Sequence, residues 1–271
     1  MTKKAGAVDG RDPLAGSKDD RQFVTALARG LEVLRCFTPQ RPSLGTTEIA
    51  ALTGLPQPTV WRLCHTLETM GYLSPAPGSK FTPGIPLLTL GYAVVSSLDF
   101  LDIVRPHMQR LADEFGAAVA LAERSRMSMV YLERCHGRSV FLLNLRAGAR
   151  LPIHNSAAGW AYLAAAGEAE RARLMAEIRH RSGQEWPAMR DHIEGAIRHH
   201  VSAGFVGNYS VQHPDVTAVA VPISVRDRIL VVNCTGLRSV LNPDTMENRV
   251  GPALVDLGGT IAAALGATTR D

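Results

Sequence analysis

No run of about 18 apolar residues occurs in this chain, so a membrane span is not expected. Cysteine is scarce: four, at positions 36, 64, 135 and 234, with no C-x-x-C spacing. That excludes a disulfide scaffold and the usual zinc ribbons. It suits small buried hydrophobes in a reducing cytosol. No H-E-x-x-H and no G-x-x-x-x-G-K-[ST] occurs. Ser156 lacks a nucleophile elbow, because His154 stands where its first glycine would be. The nine histidines form no ligand-spaced set; His192, His199 and His200 share one expected helix, but adjacent histidines do not share a face. We therefore expect no enzyme, no metal and no cofactor. The first 20 residues lack the apolar centre of a signal peptide and read as a disordered tail, which places the protein in the cytoplasm.

What is present is ordinary for a globular chain: 271 residues, 46% hydrophobic, 20% charged, net charge +4. The length admits two domains. Residues 1–84 hold ten Lys/Arg against seven Asp/Glu, a surplus too small to prove an anionic partner.

The most informative stretch is 43–84. Thr46 or Thr47 is placed to cap a first helix, with Glu48 at its positive end. Ile49, Ala50, Leu52 and Leu55 form its apolar side, and Gly54 is placed as a left-handed stop. A second helix starts near Gln57, with Pro58 in its first turn. Val60, Leu63, Cys64, Leu67 and Met70 form a buried stripe. The opposite face carries Gln57, Thr59, Trp61, Arg62, His65, Thr66 and Thr69, with no acid before Glu68. Such a face suits a major groove, with Arg62 on a phosphate or a guanine. A hairpin follows, and Lys80 at its tip is a phosphate candidate. The whole, taken with the residues before it as 21–84, is a winged helix-turn-helix DNA-binding domain. The rival reading is a small-molecule-binding protein or enzyme whose N-terminal helices only mediate association.

Beyond it, 85–101 reads as a linker helix and 102–271 as a second domain. Helices are expected over 102–115, 156–166, 168–179, 189–203 and 243–265. Strands are expected over 118–122, 129–134, 140–145, 204–211, 217–225 and 228–234. The fold class is α+β. Ser156, Ala157 and Ala158 open a helix whose first amides could take an anion, although on sequence alone a plain N-cap by Asn155 or Ser156 is the simpler and favoured reading. Asn233 and Thr235 share one strand face, which is either solvent or a ligand site.

From Phe23 onward the chain resembles the IclR family of bacterial transcription regulators. The likeness rests on 26–37, on TTEIAALTGLPQPTVWRLCHTLETMGYL at 46–73, on 86–123, and on Gly148, Arg150, Pro152, His154, Ser156, Ala157 and Gly159. It implies a winged reader of a double-stranded DNA operator, a linker helix and a GAF-like effector-binding domain. It also implies homodimers, often paired into tetramers, and control of a catabolic operon. It implies that the segment of Ser156, Ala157 and Ala158 lines the effector site. Asn208, Ala218, Asn233 and Thr235 are the further candidates, and amide and hydroxyl groups in place of acids suit a small neutral or carboxylate-bearing organic effector, a carboxylate by preference. Departures from the family pattern are Trp160 in place of a basic residue, Ala218 in place of a cysteine, and Asn233 and Thr235 in place of serines.

Overall fold

The structure is a computed structural model and describes residues 21–137, 145–211 and 213–266. The expected tail over 1–20, nearly all of the expected strand over 140–145, and Gln212 lie outside the described residues. The chain divides into two compact units, one up to Ser97 and one from Leu98.

In the first unit, α1 (Thr25–Arg35), α2 (Thr46–Thr53) and α3 (Gln57–Thr69) surround a core of Val33, Cys36, Ile49, Val60 and Cys64, all fully buried. The wing is a three-stranded sheet in the order β1 (Leu44–Gly45), β3 (Lys80–Pro83), β2 (Leu73–Ala76). Gly54 stops α2 at φ 71, the left-handed region that glycine enters without steric cost. The N-cap of α2 is Gly45, not Thr46 or Thr47. Glu48 reaches back 2.7 Å to the Gly45 amide, so the carboxylate serves that end. Met70, expected in the buried stripe, is exposed, because α3 ends at Thr69 and Met70 is its C-cap.

The linker helix α4 runs Ile85–Ser96, five residues shorter at its end than expected. The Ser97 hydroxyl donates to the Val94 carbonyl at 2.7 Å, the local bond by which serine competes with helix propagation. Helix α5 then spans Phe100–Phe115 and stops at Gly116 as expected.

The second unit is three-layered. Its sheet is antiparallel, in the order β6 (Arg150–Pro152), β5 (Ser128–His136), β4 (Ala118–Ser125), β9 (Arg228–Leu237), β8 (Val216–Val225), β7 (Val206–Tyr209). One face carries Val119, Leu121, Val219, Val221, Val232 and Cys234. It packs on α5 and on a helix that begins as α9 (Pro243–Thr245), passes through a π turn (Met246–Val250) and continues as α10 (Gly251–Ala264). The other face carries Ala120, Ala122, Ala218, Ala220 and Val231 under α6 (Ala157–Ala165), α7 (Glu168–Ser182) and α8 (Trp186–Ala203). The alternation is the pleat read directly: odd residues of β4 to one core, even residues to the other.

All four cysteines are buried and free. Burial pushes the thiols of Cys36, Cys64 and Cys135 up to about 11 and that of Cys234 up to about 12. They behave as the inert hydrophobes the sequence suggests.

Candidate DNA reader and effector site

The exposed positions of α3 recur as 57/58, 61/62, 65/66 and 69, so one face of the helix stands clear of the core. Gln57, Pro58, Trp61, Arg62, His65 and Thr66 all lie on it, while Thr59 is half-buried at its margin. Much of its hydrogen-bonding capacity is spent within the chain. The Gln57 amide donates to the hydroxyls of Thr46 and Thr47, at 3.4 and 3.2 Å. Thr66 and Thr69 donate back to the carbonyls of Arg62 and His65, at 3.0 and 2.8 Å. Trp61 and His65 stack, with ring centroids 5.4 Å apart and planes 5° from parallel. Lys80 is tied to Glu48, at 3.1 Å. The Gly45 amide and Lys80 together hold the Glu48 carboxyl below its usual range.

In the second unit, the candidates fall at the start of α6 and on the sheet face beneath it. Ser156 is 1% exposed. Its hydroxyl accepts from the Gly159 amide at 3.1 Å and donates to the Pro152 carbonyl at 2.6 Å, so the N-cap role is realised. Gly159 is required by close approach: a Cβ there would lie 2.1 Å from the Ile153 carbonyl oxygen. Trp160 donates to the His154 carbonyl at 2.7 Å and stacks on His192, which fixes the same entry segment. Asn208 is a clamp: its amide nitrogen donates to Asn155 O at 2.9 Å and its oxygen accepts from the Val211 amide at 3.1 Å.

The register aligns the remaining candidates in two rows. Asn208, Ala218, Thr235, Ala118 and His136 are successive partners across β7, β8, β9, β4 and β5. Ala220, Asn233, Ala120 and Arg134 form the adjacent row. The polar residues of β9 are therefore flanked on both sides by alanine. Asn233, 2% exposed, donates to Thr235 Oγ1 at 3.0 Å and to the Tyr131 hydroxyl at 3.3 Å, and its Oδ1 is buried without a hydrogen-bond partner. Asn233 is therefore interior, whereas Thr235 is half-buried.

Arg134 and Tyr131 were not legible as members of this face. A bulge between Leu121 and Ala122 shifts the pairing so that Ala122 meets Tyr131 and Leu121 meets Glu133. The shift reverses which residues of β5 face α6 and brings Arg134 to the same side as Tyr131. Arg134 donates to the Leu145 carbonyl. Burial lowers its proton affinity, opposed by the nearby Tyr131 hydroxyl. Burial, then Arg134 and Arg146, lowers that of His136. The β5 edge of the face is thus electropositive. Among the described residues, no three His, Cys, Asp or Glu side chains converge as a metal site requires, and no single helix is long and apolar enough to cross a membrane.

Comparison with known proteins gives concordant results. Residues 26–77 match the IclR helix-turn-helix domain, and residues 92–261 match the family described as bacterial transcriptional regulator IclR C-terminal. The chain is 34% identical to the HTH-type transcriptional regulator TsaQ1/TsaQ2 of Comamonas testosteroni, over 90% of this chain and 89% of that one. It is 41% identical to an IclR family transcriptional regulator of Brucella abortus of known crystal structure, with a TM-score of 0.87 over 97% of this chain and all of that one. An IclR homolog from Microbacterium hydrocarbonoxydans, solved with 4-hydroxybenzoate, shares the fold at 24% identity and a TM-score of 0.67, over 90% of this chain and 100% of that one.

Proposed function

The chain belongs to the IclR family of helix-turn-helix transcriptional regulators, and from that premise we propose that it binds its operator as a dimer, through α3, under the control of a small organic acid. Its relatives are regulators, not enzymes. The observation that carries the DNA half is the solvated face of α3, free of acid until Glu68, with a wing beside it. The dimer reading draws support from apolar residues left exposed on α1 and α4, among them Leu27, Leu88 and Tyr92. The four reduced thiols fit a cytoplasmic protein. A catabolic operon is the expected target.

The effector reading places the ligand on the face shared by Asn233, Thr235, Ala118, Ala120 and Ala218, beside the start of α6 formed by Ser156, Ala157 and Ala158. Two observations support it. Asn233 Oδ1 is a buried acceptor without a partner in the protein, which is costly unless a water or a hydroxyl of the ligand donates to it. Arg134 supplies positive charge two strands away, about 10 Å at sheet spacing, for a carboxylate. Asn208 acts as a structural clamp at the margin.

Calorimetry on the full chain tests this, with 4-hydroxybenzoate and short aliphatic acids as probes. One of them is expected to bind and to shift operator affinity by about 5–150-fold, the usual range of allosteric coupling. Asn233→Leu, close in volume, is expected to lose that response while still binding operator. If the variant binds the same acid as tightly as the parent, the site lies elsewhere.

A further inference from the structure

The reader face of α3 holds two kinds of surface along parallel ridges. Pro58, Arg62 and Thr66 succeed one another at four-residue spacing on one ridge, and Trp61, His65 and Thr69 on the other. On the second ridge the Thr69 hydroxyl proton is spent on His65 O, and the remaining surface is aromatic. Trp61 is 57% exposed, yet one side of its indole is held against the His65 ring at 5.4 Å and 5°. A large apolar ring left in water, but already ordered by a stack, loses little freedom when it is covered. The ordinary reading of an exposed tryptophan is an isolated surface hydrophobe, or a contact with another copy of the chain. Its place at the centre of the acid-free reader face argues for DNA instead.

The major-groove edge of a base pair carries one apolar group, the C5-methyl of thymine. Gln57, Thr66 and Thr69 all donate within the chain, so beside Arg62 the donors of this face are the ring N–H groups at the edges of Trp61 and His65. Arg62 then provides hydrogen bonding on one ridge and the aromatic stack provides apolar contact on the other. We propose that the Trp61–His65 stack is a specificity-determining element that reads the C5-methyl of a thymine in each operator half-site. The proposal rests on the operator reading above and adds which chemical feature of the DNA is recognised.

Replacing thymine by uracil removes the methyl and leaves the hydrogen-bonding edge unchanged. In the footprinted operator, each dT is changed singly to dU and affinity is measured for the full chain, for Trp61→Ala and for Trp61→Phe. The parent is expected to bind about fourfold more weakly at one thymine per half-site, the value of one buried methyl. Trp61→Ala is expected to bind the all-thymine operator more weakly and to be indifferent to uracil there; Trp61→Phe retains the sensitivity. Thermal melting checks that both variants fold. If every uracil substitution is silent for the parent, or if Trp61→Ala remains sensitive at the same base, the methyl reading is overturned while the operator reading stands. If the parent binds no DNA fragment, both fall. A fall in the sedimenting mass of the assembly in Trp61→Ala would make the patch a contact between copies and overturn the proposal.

Discussion

His154 precedes the capped start of α6 and holds Trp160 through its backbone carbonyl. Burial, and secondarily Arg181, lowers its proton affinity below that of a free imidazole. His200 is lowered as well, again chiefly by burial. A histidine with a depressed folded-state pKa binds protons better when unfolded. Its stabilising share is therefore complete above about 6.5 and is lost as pH falls through the folded-state value. The melting temperature of the parent is expected to drop more steeply between pH 7 and 5.5 than that of His154→Gln, and identical slopes would contradict this account. At this scale the sequence was partly legible. Ser156 before an apolar helix announced its cap, and Gly54 announced its stop. The threonines before α2 misled, because the side chain that serves that terminus is Glu48, three residues inside. Arg134 was hidden by a bulge, since alternation along β5 is read from one parity and the parity changes within the strand.

Among the elements, α4 departs most from its pattern. The sequence suggests one apolar face formed by Leu87, Leu88, Leu90, Ala93, Val94 and Leu98. In the structure α4 buries no residue fully; Ile85 is 76% exposed, and Leu88 and Tyr92 are each 71% exposed. A helix this apolar, with no polar side to turn toward water, belongs against another surface, which in the proposed dimer is a second copy of the chain. Leu88→Glu combined with Tyr92→Glu is expected to halve the sedimenting mass and to leave the circular dichroism spectrum nearly unchanged, because neither side chain supports a core within its own subunit. An unchanged mass would remove α4 from the interface. The other misread elements have local causes. Strand β6 has three residues, too few for a period. The final helix looked continuous because a π turn leaves no mark in hydrophobic spacing.

For the molecule as a whole, the division into two units and the α+β class were legible because both rest on long, strongly periodic segments, whereas the three-layered arrangement of the second unit appears only in the structure. The proposed site on that second unit was only half legible, because Arg134, Tyr131 and Asn233 come to one sheet face through pairings distant in sequence. Charge adds little, with a net +4 over the chain. The central claim is that two copies of α3 read one operator. Successive major grooves on one side of DNA lie about 34 Å apart, so a dimer has to protect two related half-sites about one helical turn, or a multiple of it, apart. Hydroxyl-radical footprinting of the full chain on the promoter nearest its own gene measures this directly. The account predicts protection on one side of the duplex about a two-fold axis, lost together in both halves with Arg62→Ala. Protection of a single short site with no dyad, or a footprint that Arg62→Ala leaves intact, would contradict it.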